Sequence, residues 1–241
     1  MGRYAAVVVL FLLAEILGTI AGFGSSAFFV GAAQFFLGFK TVLAFTSLQH
    51  VFGNFAKIWL FRKDLNWQVA LQIGIPALLL TIPGAYLSEL TDDKISSLVL
   101  GILLVFFSLL LFFNENARLR PTWFNRIGGG AVSGFLAGLV GTGGPVRGLV
   151  LASFDLPKNM FVATSALIDA GVDLSRAVIY LRAGYLQEAD FGFIPVLIVV
   201  AILGTWLGKL VLDRIPQERF RKLVLILLAL SGLSLAAQTA F

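Results

Sequence analysis

The chain has 241 residues, 59% of them hydrophobic and 13% charged, where a soluble domain carries about 25% charged and roughly 45–50% apolar residues. No water-soluble core of this size hides so much Leu, Val, Ile and Phe, so the composition predicts an all-α polytopic protein of the lipid bilayer. The net charge of +5 lies in short loops between apolar runs and speaks for membrane orientation, not nucleic acid; with no cysteine and one histidine, thiolate chemistry and multi-histidine metal centres are excluded, and no cofactor is implied.

In chain order the apolar segments are 4–21, 27–37, 41–61, 67–87, 95–113, 127–140, 146–154, 159–181, 191–212 and 223–237. The first could pass for a signal peptide, but it leads straight into the first copy of an internal repeat and is read as part of it. Segments 127–140 and 146–154 flank Gly141-Thr142-Gly143-Gly144-Pro145, with Arg147 two residues on. Each is too short to cross a hydrocarbon core about 30 Å thick, which takes about 20 helical residues. A glycine break at that depth leaves backbone groups without helical partners and survives only when packed in protein or lining a wet cavity.

Moving back 119 residues gives Gly22-Phe23-Gly24-Ser25-Ser26, again in an apolar setting. The same shift pairs Thr46 with Ser165 and Ile75-Pro76 with Ile194-Pro195. The reading is of two homologous halves, 1–113 and 127–241, joined by a cytoplasmic loop at 114–126. If both broken segments turn back as re-entrant hairpins, Arg62, Lys63, Arg118, Arg120, Arg126, Lys158, Lys209, Arg214, Arg219, Arg221 and Lys222 share one side. The other side keeps Arg3, Lys40, Lys94 and Arg182, an asymmetry that the positive-inside rule expects. Each half then adds three transmembrane helices to its hairpin, so the halves are inverted and both termini lie outside the cytoplasm.

Polar residues inside the apolar runs mark the site. His50, Asn54 and Lys57 share one helix face by their spacing, and the shift turns them into Asp169, Asp173 and Arg176 on another. Ionisable groups at membrane depth cost at least ~2.5–3.5 kcal/mol and usually face the protein interior or a water-filled path. Half-helices starting after Gly24 and Gly143 would aim free N–H groups and positive dipole ends at the middle, a setting that favours an anion. Ser25, Ser26 and Thr142 can donate hydroxyls there, Gly144 lets the backbone approach, and Arg147 offers a planar fork matched to oxyanions. His50 and Asn54 complete the expected substrate-binding set. Asp169, Asp173, Arg176, Lys57 and Glu15 are expected to couple or gate, although Lys57 could simply snorkel and Asp173–Arg176 could be a structural ion pair. Glu15 could equally face substrate-side water or be paired within the protein.

Both glycine motifs, preceded by Ala21-Gly22 and by Ala137-Gly138, resemble the TauE/SafE family of permeases over most of the chain. The stretch from Gly138 to Pro145 is close to that family's glycine-rich pattern, whereas Gly24-Ser25-Ser26-Ala27 departs from it. The resemblance implies an exporter of sulfite or an organosulfonate, working by alternating access around one mid-membrane site. An anion channel and a proton-coupled uptake permease for another organic anion are the alternatives. An enzyme is not expected, since no Ser–His or His–Glu spacing on neighbouring helices suggests nucleophile or metal chemistry. A short, loop-poor chain fits a prokaryotic cytoplasmic membrane, with a homodimer left open.

Overall fold

The computed structural model describes residues 2–33, 36–92, 95, 99, 102, 106, 122–216, 219 and 226. Among them the regular elements are helices: α1 (Gly2–Ala21), α2 (Ser25–Ala33), α3 (Phe39–Leu60), α4 (Trp67–Leu90), α5 (Trp123–Val140), α6 (Gly144–Ala152), α7 (Lys158–Arg182) and α8 (Ile194–Arg214). Short 3-10 turns occupy Arg62–Asp64 and Glu188–Phe193. Residues 114–121 of the loop expected at 114–126, and most of the segments 95–113 and 223–237, lie outside the described residues.

Two features of the helices differ from expectation. The run 127–140 is extended by Trp123–Arg126 into an 18-residue helix, because Thr122 caps it by accepting the Asn125 N–H at 3.3 Å. At 1.5 Å per residue the 18-residue α5 is about 27 Å long, close to the 20-residue α1, so it is not the short stub that its apolar run suggested. The second difference concerns Ile-Pro. Pro76 lies well inside α4, whereas Pro195 sits in the first turn of α8, where a missing N–H costs nothing. The 3-10 turn at Glu188–Phe193 stands where the matching part of α4 is already helical.

Each glycine break reverses the chain. Gly22 and Gly141 close α1 and α5 with φ of +80° and +79°, left-handed caps in which a side chain would be strained. α2 then returns along α1, with Ser25 against Gly18 and Phe29 stacked on Phe11 at 3.5 Å between ring centroids. α6 returns along α5 in the same manner. Ser133 donates to the Gly143 carbonyl at 2.9 Å, and Val150 packs on Gly129.

The long helices that open each portion pack on helices of the other. Gly130, Gly134 and Gly138, one turn apart on α5, lie against the carbonyls of Ile73, Ala77 and Thr81 on α4. Small residues at this spacing let two helix backbones meet closely, the packing that membrane helices favour. Gly204 and Gly208 of α8 receive Glu15 and Thr19 of α1 in the same way. α3 and α7 cross in the middle and carry the polar stripes.

Outer faces are apolar and the interior is charged. Leu71, Ile75 and Leu79 on α4 and Val199, Ile202 and Trp206 on α8 are exposed, while Glu15, Lys57, Arg147, Asp173 and Arg176 are buried. Such a body is stable in hydrocarbon and not in water, where its surface would expose long apolar stripes. This is an all-helical membrane protein.

Candidate functional site

The two reversals meet. Gly144, at the start of α6, packs so tightly on the Gly24 backbone that an added Cβ would stand 2.7 Å from its nitrogen. Beside this contact Ser26 donates its hydroxyl to Thr142 Oγ1 at 3.1 Å. α2 and α6 therefore begin next to one another, and both N-termini face a narrow, partly open cavity. Its wall consists of the two breaks, with Ser25, Ser26 and Arg147, and of both polar stripes: His50, Asn54 and Lys57 on α3, Asp169, Asp173 and Arg176 on α7.

The stripes touch. Asn54 donates its amide to Asp173 Oδ2 at 2.7 Å, and His50 Nδ1 lies 3.7 Å from the same oxygen. The Ser25 hydroxyl pairs with His50 Nε2 at 3.2 Å, so α2 and α3 are tied at the cavity wall. Arg176 holds Asp173 Oδ1 through Nε and Nη2, both at 2.8 Å, and its Nη1 donates to the Gly141 carbonyl at 3.0 Å. The Tyr180 hydroxyl donates to the Gly138 carbonyl. Together these α7 side chains supply partners to carbonyls at the end of α5, where the helix can no longer satisfy its own.

Arg147 lines the cavity, with its fork already engaged by the protein. Its Nη1 and Nη2 engage both oxygens of Asp169, the latter at 2.5 Å, and its Nε donates to Ser165 at 3.1 Å. The reason lies in the hairpin, which lays α6 against α7 and brings a carboxylate within reach of the fork. Lys57 does not snorkel. It is buried and donates to Glu15 Oε1 at 2.6 Å, where Thr205 also donates at 2.8 Å and Gln49 donates to Oε2 at 3.3 Å. Glu15 is thus paired within the protein, behind Lys57 and off the cavity wall. Asp173–Arg176 is an ion pair that also lines the cavity.

Every cation at the site has its own carboxylate: Lys57 with Glu15, Arg147 with Asp169, Arg176 with Asp173. With His50 neutral, this set sums to zero charge. Among the described residues no cluster of three or more His, Asp or Glu is arranged to hold a metal ion. Sequence reasoning missed Ser165, Gln49, Thr205 and Ser133. Ser165 was within reach, since it lies four residues before Asp169 and extends the same helix face. Thr205 was not, because it approaches Glu15 from a helix 190 positions away.

A lipid-facing exterior around a buried, charged cavity is the arrangement of a membrane transport protein. The sequence model described as "Sulfite exporter TauE/SafE" matches residues 7–235, and the chain belongs to that family. A probable membrane transporter protein of Methanocaldococcus jannaschii is 27% identical to it over 208 residues, covering 78% of this chain and 76% of that one. No solved structure matches the chain. The chain is a membrane transporter of the TauE/SafE family.

Proposed function

We propose that the chain exports a small sulfur-containing oxyanion, sulfite or an organosulfonate, across a prokaryotic cytoplasmic membrane. The carrying observation is the convergence of two helix N-termini and the Arg147 fork on one buried cavity. Free N–H groups and a guanidinium favour a tetrahedral or pyramidal oxyanion over a neutral solute. The sulfur chemistry is taken from the description of the matching family. Gly24, Ser25, Ser26, Thr142, Gly143, Gly144, Arg147, His50 and Asn54 are assigned to the cargo. Asp169, Asp173, Arg176, Lys57 and Glu15 hold the charge balance around it.

The architecture proposed for this task is a pair of inverted halves, with two re-entrant hairpins, α1–α2 and α5–α6, entering from opposite faces. Their direction is supported by the helix contacts. α4, α5 and α7 begin, and α8 ends, at one end of the bundle, where Lys158 donates to the carbonyls of Leu212 and Ile215 at 2.7 Å. Arg62, Lys63, Arg126, Lys158 and Arg214 gather there, and Lys40 and Arg182 at the other end. That bias supports a cytoplasmic first end and termini outside the cytoplasm. The contact between hairpin tips at Ser26 and Thr142 closes the space between them, which favours a carrier that alternates access over an open channel.

The test is thermal stabilisation of the purified protein by sulfite, sulfoacetate, taurine, sulfate, thiosulfate and acetate, with Arg147→Ala and Arg147→Lys alongside. Stabilisation by sulfite or a sulfonate is expected in the native protein. It should be absent in Arg147→Ala and only partly restored by Lys, which has a point charge instead of a planar fork. A response to acetate alone, or an unchanged response in Arg147→Ala, would overturn the reading.

A further inference from the structure

The occupied state of the Arg147 fork has a consequence for coupling, which rests on the reading of the cavity as an anion site. A guanidinium recognises an oxyanion best with two parallel N–H groups. In this structure that pair is filled by the Asp169 carboxylate, and the Nε edge is engaged by Ser165. A cargo anion can take the fork only by removing Asp169. The displaced carboxylate would then sit as a second negative charge beside the cargo, at membrane depth and near Asp173, an arrangement that a low-dielectric cavity expels. Taking up a proton resolves it.

Geometry singles out Asp169 among the three carboxylates. Its side chain is 17% exposed, against 4% for Asp173 and 0% for Glu15, so it alone of the three has appreciable access to cavity water. The charged and titratable groups around it are Arg147 from α6, Asp173 and Arg176 from α7, and His50 and Lys57 from α3, with Glu15 of α1 behind Lys57. α2 brings Ser25 and Ser26, and α5 lines the cavity with Ala137. Asp173 is held by Arg176 and Asn54, and the His50 ring is engaged by Ser25, so the other groups keep their partners when the Arg147 fork changes hands.

We propose that Asp169 is the proton-coupling group of this transporter: the cargo anion replaces its carboxylate in the Arg147 fork while Asp169 takes one proton from the same aqueous side. On the far side the anion leaves, the proton leaves, and Asp169 returns to Arg147. A monoanion and a proton therefore cross together, and no net charge moves. Direction follows the cargo gradient and the pH difference jointly, and the membrane potential alone does not drive export of a monoanion.

Methanesulfonate is the probe, because it remains a monoanion across the working pH range and contributes no titration of its own. For the native protein its apparent Kd should weaken by about tenfold per pH unit on the alkaline limb, the slope of one linked proton. Asp169→Asn should bind with no pH slope, whereas His50→Gln, even where it binds more weakly, should still show the one-proton slope. In proteoliposomes with a methanesulfonate gradient, native protein should move protons without current, and Asp169→Asn should pass current without protons. A pH-independent Kd and a steady current in the native protein would overturn the proposal while leaving the anion site standing. A slope lost in His50→Gln and kept in Asp169→Asn would also overturn it. Native protein that binds no sulfur oxyanion at any pH would remove the anion site and the coupling with it. The native measurements decide the matter even if a variant fails to fold.

Discussion

Lys57 reaches the cavity wall with its charge answered from behind, by a glutamate that lies off that wall. The Glu15 carboxylate takes the ammonium at 2.6 Å and the Thr205 hydroxyl at 2.8 Å, and Gly53 and Gly204 leave it just enough space. Removing one partner of such a buried pair strands the other charge and costs about 3–5 kcal/mol, whereas replacing both with apolar groups of similar volume is often neutral or better. We predict that Glu15→Gln lowers the melting temperature of the detergent-solubilised protein sharply, and that Glu15→Gln with Lys57→Met recovers most of the loss. Equal melting of the single and double variants would show that the pair carries no such stake. At this scale the site was half legible. The spacing of His50, Asn54 and Lys57, and of Asp169, Asp173 and Arg176, put each trio on one helix face, and the structure joins the two faces at Asn54 and Asp173. Counter-ions were legible only within one helix, as for Asp173 and Arg176. Lys57 and Arg147 find theirs on other helices, and which helix lies alongside is a property of tertiary packing that helix periodicity does not contain.

Among the helices, the closest approach is between α4 and α5. A Cβ added at Gly134 would stand 1.9 Å from the Ala77 carbonyl oxygen, with further Ala77 backbone atoms at 2.5 and 2.6 Å, and a backbone cannot swing aside as a side chain can. Gly134→Ala is therefore predicted to force the helices apart, at a cost typical of overpacking, about 1–3 kcal/mol or more. Gly128, on the same helix, meets nothing within 4 Å. Gly128→Ala should be neutral or stabilising by up to about 1 kcal/mol, since alanine is the better helix former. Melting of the two variants side by side checks this, and equal behaviour would sink the close-packing argument. The breaks at Gly22–Gly24 and Gly141–Gly143 were legible in sequence because left-handed caps need glycine. The true reach of α5 was not. Trp123–Arg126 is polar enough to read as loop, yet Thr122 caps it and Arg126 finds Gln72 at 2.5 Å, so tertiary contacts carry the helix beyond its apolar run.

Across the whole molecule, the two hairpins come from distant parts of the chain and touch where they turn, with Ser26 and Thr142 joined at 3.1 Å and Gly144 packed on Gly24. Alternating access requires that a cargo at this place be reachable first from one side and then from the other. If the hairpins do this by moving relative to one another, the contact between their tips must open in every cycle. The chain has no cysteine, so a pair introduced here has no competitor. Hydroxyls within hydrogen-bonding distance put their Cβ atoms close to the ~3.5–4.5 Å that a disulfide needs. Ser26→Cys with Thr142→Cys should therefore cross-link on mild oxidation. The oxidised protein in proteoliposomes is expected to lose most of its sulfonate flux and regain it on reduction, while either single variant ignores the oxidant. Flux that survives a complete cross-link would mean that the tips travel together as one unit. The moving boundary would then lie elsewhere, between the hairpin pair and the helices packed around it, with the close-fitting α4–α5 and α1–α8 contacts being the least able to slide. That leaves the crossing of α3 and α7, where the polar stripes meet through side chains instead of backbone, as the surface along which the halves would part.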